Sequence, residues 1–118
     1  MTPEEHLVKS DQLDEQGHWD HAIWHRLVAL PGTSVVDIRL PSGAWVAGHR
    51  DMACLQVGDG RGACCTGRPG LPGRPWYWVD TRWVGPVELP EWARAALEAA
   101  AALAVAEVLA RPTRGGAA

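Results

Sequence analysis

The hydrophobic period of this chain changes from helical to alternating at Thr33, and that change limits the folds open to it. Upstream, Trp19, Ile23, Leu27 and Leu30 recur at helical spacing, the stripe of an amphipathic helix. Downstream, Val35-Val36-Asp37-Ile38-Arg39-Leu40 and Ala44-Trp45-Val46-Ala47-Gly48-His49 alternate apolar and other residues around Pro41-Ser42-Gly43. Alternation on both sides of a turn is the pattern of a β-hairpin with one buried face. A second alternating run, Trp76-Tyr77-Trp78-Val79-Asp80-Thr81-Arg82-Trp83, lies further along. The chain must therefore join helices to a small antiparallel sheet.

Local signals place the elements. Thr2 is suited to cap a helix with Pro3 at its first position and Glu4 and Glu5 near the positive end of its dipole. Gly17 breaks that run, and a second helix is expected over 18–30, stopped by Pro31-Gly32. Strands are expected at 34–40, 44–50, 53–57, 63–66 and 75–84. The glycine- and proline-rich stretch 67–75 reads as a surface loop. A helix is expected over 91–110, ended by Pro112, with a disordered tail at 113–118. That helix is apolar nearly all round, since Leu97, Leu103, Val105, Val108 and Leu109 spread over its circumference with alanines between them. Such a helix is usually covered on more than one side, by the rest of the chain or by a second subunit.

At 118 residues and 47% hydrophobic content the chain fits one domain with a core of its own. No apolar run approaches the ~20 residues of a membrane span. The acidic start Met1-Thr2-Pro3-Glu4-Glu5 does not read as a secretory signal, so the expected location is the cytoplasm. The absence of Phe and Asn, beside ten Arg, one Lys and seven Trp, follows GC-rich codon usage. It fits a high-GC bacterium or one of its phages or plasmids, and it removes functional weight from the choice of Arg over Lys. The net charge of −3 is concentrated at the N-terminal end, which argues against a nucleic-acid binder on charge alone.

Two short stretches resemble known motifs. Glu15-Gln16-Gly17-His18-Trp19-Asp20-His21-Ala22-Ile23 resembles the turn and second-helix start of a tetratricopeptide repeat. It does not recur at the repeat period, so it implies a helical hairpin and no peptide-binding array. Val36–Gly48 resembles the first half of an Sm-type barrel motif, without the Asp and Asn that read RNA there, and implies small-barrel geometry only.

Four groups of residues carry candidate chemistry. Trp76, Trp78 and Arg82 share one face of the last strand, with Arg68 and Arg74 in the preceding loop. Aromatics ringed by arginines form binding platforms for proteins or bases, although two apolar faces also suit a central, fully covered strand. His49, Cys54, Cys64 and Cys65 would form a zinc site if Cys54 and Cys64 faced one another, but no Cys-x-x-Cys pair supports it. The same thiols, with His49 as base, are the weaker ingredients of a cysteine enzyme. In a reducing compartment three free cysteines are ordinarily packed as small hydrophobes. His18, His21 and His25, with Asp14, would share a stripe if the helix ran through Gly17. Gly58-Asp59-Gly60-Arg61-Gly62 lacks the lysine of a phosphate loop and reads as a hairpin turn.

The expected architecture is α+β: an N-terminal helical hairpin, a small SH3-like antiparallel β-barrel or strongly twisted sheet, and a C-terminal alanine-rich helix. The expected function is non-catalytic binding to a protein partner, with self-association through 91–110 compatible with it and no cofactor required. A nucleic-acid-binding barrel and a zinc- or cysteine-dependent enzyme are the alternatives.

Overall fold

The computed structural model describes residues 1–31, 35–70, 76–80, 85 and 87–111. Helix α1 (Pro3–Glu15) begins in a capping box: the Glu5 amide donates to Thr2 Oγ1 at 3.1 Å, and the Thr2 amide donates to Glu5 Oε1 at 3.0 Å. It ends at Gly17, whose φ of +82° lets the Gly17 amide reach Asp14 O at 3.0 Å and the His18 amide reach Leu13 O at 2.8 Å. This double closure is a Schellman motif. The chain then reverses into α2 (Trp19–Val28), which completes the expected hairpin.

Five strands follow: β1 (Val35–Arg39), β2 (Trp45–His49), β3 (Cys54–Gly58), β4 (Cys64–Arg68) and β5 (Tyr77–Asp80). They form one antiparallel sheet in chain order. At the first turn the Gly43 amide bonds Leu40 O at 3.0 Å and Gly43 takes a φ of +93°. At the third, Asp59 Oδ1 accepts from the amides of Arg61 and Ala63 at 2.6 and 3.1 Å, which is the Asx chemistry of a tight reversal. Helix α3 (Glu91–Ala110) closes the described chain.

The sheet does not close into a barrel, which corrects that expectation. Every connection is between sequence neighbours, so among the described residues β1 and β5 remain the two edges. A barrel buries its inner face by curling on itself, whereas here α2 and α3 cover that face instead. Ile23, Trp24 and Leu27 from α2 and Ala96, Leu97 and Ala100 from α3 meet Val36, Val46, Leu55, Val57 and Cys65 from the sheet in one core. The buried stripe of α3 is Ala93, Ala96, Leu97, Ala100, Ala101 and Ala104, so its backbone lies close to its neighbours.

Two strand assignments change. β5 lies at an edge, not in the centre. β4 continues through Gly67 and Arg68, where the composition suggested that a loop begins. The reason is in the packing: a Cβ on Gly67 would fall on the Trp76 indole nitrogen and 2.8 Å from the Trp78 ring. Glycine here makes room for two indoles over a strand. The expected strand residues 34 and 81–84, most of the loop at 71–75, and the tail at 113–118 lie outside the described residues. Among the described residues no helix is long and apolar enough to cross a membrane.

Candidate functional site

The register assigns each candidate to a face of the sheet. Gly67 pairs with Trp78 and Arg68 with Tyr77, so Trp76 and Trp78 point toward the helices while Arg68 points away. Trp76 and Trp78 are 3% and 4% exposed. Trp76 stacks on Trp24 (centroids 5.5 Å apart) and on His21 (5.7 Å), and Trp78 donates its indole N–H to Asp20 Oδ2 at 3.3 Å. These two rings are core and offer no stacking platform to a partner. Arg68 is exposed on the opposite side, and Arg74 and Arg82 lie outside the described residues.

The proposed zinc ligands do not converge. Cys54 is opposite His49 across β2 and β3, but Cys64 is opposite Gly58, at the other end of β3. Four residues of strand correspond to ~13 Å, too far for two thiolates on one ion. Cys65 points into the helix-facing core. Burial pushes the Cys54 thiol up, against the pull of the Arg68 guanidinium; burial and the Asp80 carboxylate push Cys64 up. Raised thiols are poor nucleophiles at neutral pH, so neither has the activated character that the cysteine-enzyme reading required.

The histidines are placed differently from the stripe that continuity through Gly17 would give. Because the chain reverses there, Asp14 turns to Arg26, as does Asp11 at 3.7 Å, and His18 becomes the residue preceding α2. His21 and His25 stay together on α2 and are joined by His6 from α1. The His6 and His25 Nδ1 atoms are 2.9 Å apart, and the His25 ring centroid lies 5.1 Å from those of both His6 and His21. His6 was not singled out in the sequence, although it precedes buried Ser10 by four residues and Leu13 by seven, the signature of an inward-facing helix position. Burial pushes all three imidazoles down, His25 to about 4. Among the described residues, no three His, Cys, Asp or Glu side chains form a group fit to hold a metal ion.

A groove of about 650 Å³ lies between α2 and α3. Its floor and walls are Trp19, Ile23, Ala101, Ala102, Val105, Ala106 and Leu109, and its charged rim is Asp14, Arg26, Arg94 and Glu98. The Arg94 guanidinium lies 4.3 Å from the Trp19 ring centroid and bonds Glu98 at 3.2 Å; Arg26 is held by Asp14. Each of these four charged groups is thus engaged in an ion pair, and among the described residues the groove presents apolar surface with no nucleophile or free base. That chemistry suits binding. Neither sequence pattern nor composition located it, because its walls come from helices 70 residues apart in the chain.

Comparison of the chain with protein-family models, with curated proteins and with solved structures gave no match.

Proposed function

We propose that this chain is a non-catalytic protein-interaction module, and that its contact surface is the groove between α2 and α3, occupied by a second copy of the same chain. The carrying observation is that α3 continues six residues past Ala104, its last buried residue, while remaining apolar at Val105, Val108 and Leu109. Helices in water draw most of their stability from packing an apolar face, and Leu109 is 71% exposed. Val105, Ala106 and Leu109 also wall the groove. The uncovered helix end and the groove are therefore one continuous surface, with a ridge beside a furrow. In an isologous dimer the ridge of each copy fills the furrow of the other, because each copy presents both. The occupant is a helix, as in other grooves formed between helices.

Light scattering over a range of concentrations tests this reading. A dimer that Leu109→Glu converts to a folded monomer supports it. A wild type that stays monomeric at millimolar concentration overturns the second copy as occupant.

A further inference from the structure

We propose that His6, His21 and His25 form an acid-operated latch that holds α1 on α2 at neutral pH and releases it, with the sheet and α3 intact, when the cluster takes up protons.

His6 and His25 approach through their Nδ1 atoms at 2.9 Å. A contact of that length needs one ring to donate and the other to accept, so at least one of the two must be neutral at Nδ1. When both carry protons, two N–H groups face each other and the bond is replaced by repulsion. His21 extends the cluster, its ring 5.1 Å from His25 on one side and 5.7 Å from Trp76 on the other. Its Nδ1 is buried without a hydrogen-bond partner among the described residues.

The surroundings oppose charge on the cluster. From α1, Lys9 acts on His21 and His25, and the N-terminal amine acts on His6; from the β2–β3 turn, Arg50 acts on His6; His18 acts on His21. Against these stand Glu5 beside His6 and Asp20 beside His21. Burial is the largest influence on all three rings. In an unfolded chain an imidazole takes its proton near 6.5, and in the fold His25 takes it at about 4. Between those values the chain with α1 undocked and the His25 ring exposed binds more protons than the docked chain, so docking weakens as pH falls.

The mechanical arrangement lets this act locally. α1 packs on α2 and makes no comparable contact with the sheet or α3. Its buried residues are Ser10 and Leu13, and a further cross-helix tie is the Arg26 ion pair with Asp11 and Asp14 near its C-terminal end. The core of α2, α3 and sheet does not use α1. Losing the histidine contact therefore frees a strap without removing a layer.

Amide hydrogen exchange, read residue by residue from about pH 7 to about pH 4, tests the latch. Amides of α1 should lose protection at least ~tenfold across this range while those of Val46, Leu55 and Val57 keep theirs. A His6→Phe/His25→Phe variant should keep α1 protected throughout, and an Asp11→Asn/Asp14→Asn variant should still show the loss. Constant α1 protection in the wild type, an equal loss in the Phe variant, or simultaneous loss in the sheet overturns the proposal. Should the Phe variant not fold, the imidazole proton resonances of the wild type decide. His6, His21 and His25 must titrate together with the α1 amides; independent titration near the free-imidazole value with α1 still protected overturns it.

Discussion

The indole nitrogen of Trp76 occupies the space that a β-carbon on Gly67 would need, so a bare backbone in β4 is the seat of a core tryptophan. The Trp78 ring is 2.8 Å from the same position. Neither ring has room to retreat: Trp76 is held against Trp24 and His21, and both indoles are almost wholly buried. Gly67→Ala should therefore destabilise the fold by about 1–3 kcal/mol, the usual cost of overpacking. Gly58 provides the comparison. Its β-carbon would meet Trp45, which is only half-buried and has solvent to swing into. Urea unfolding should show Gly67→Ala losing clearly more than Gly58→Ala; equal midpoints would mean that the Trp76 and Trp78 rings yield as readily as Trp45.

Asp20 ties the same cluster to α2. Its carboxylate accepts from the Trp78 indole at 3.3 Å and from the His21 amide at 2.8 Å. Removal of the acceptor leaves a buried N–H unsatisfied, at a cost of about 1–3 kcal/mol. Asn retains an oxygen at the same place. Asp20→Ala should thus be the more destabilising variant by thermal or urea unfolding, with Asp20→Asn intermediate between it and the wild type.

The cysteines make a kinetic prediction. Cys54 and Cys65 are buried, whereas Cys64 is half-exposed and carries a thiol raised by burial and by Asp80. Labelling of the native protein with a thiol reagent should modify Cys64 first, and more slowly than a free cysteine. Cys54 and Cys65 should wait for opening of the fold. Peptide mapping of the labelled protein reads the order, and modification of Cys54 as fast as Cys64 would contradict the packing described.

What the sequence revealed depended on whether the signal was local. The capping residue Thr2, the stop at Gly17 and the Pro41-Ser42-Gly43 turn each act within a few residues, and each appears where its chemistry put it. The parity of the last strand was equally readable, with Trp76 and Trp78 on one side and Tyr77 on the other. Which side was covered was not readable, because α2, from the far end of the chain, covers it. The same limit explains the cysteines: their separation in sequence is compatible with proximity, and only the strand register puts Cys64 opposite Gly58. His6 joined His21 and His25 through the Gly17 reversal, which undid the continuous helical stripe that would have grouped them with Asp14. Closure of the sheet depends on long-range pairing, and the alternation that identifies strands is the same in a barrel and in an open sheet with helices on one face.

The exposed end of α3 yields the most direct test of assembly. Leu109 lines the groove and is largely exposed in the single chain. Burial of a leucine side chain contributes about 1.5–3 kcal/mol, and a two-fold interface contains the residue twice. Leu109→Glu therefore removes about 3–6 kcal/mol from the dimer before any cost of the new carboxylate, equivalent to roughly two to four orders of magnitude in Kd. The folded monomer should be little affected, since Leu109 is 71% exposed in it. Val8 is the control: it is 58% exposed on α1, away from the groove, and Val8→Glu should leave the association unchanged. Analytical ultracentrifugation of the three proteins separates the possibilities. A dimer weakened by both substitutions, or by neither, places the interface somewhere other than the groove between α2 and α3.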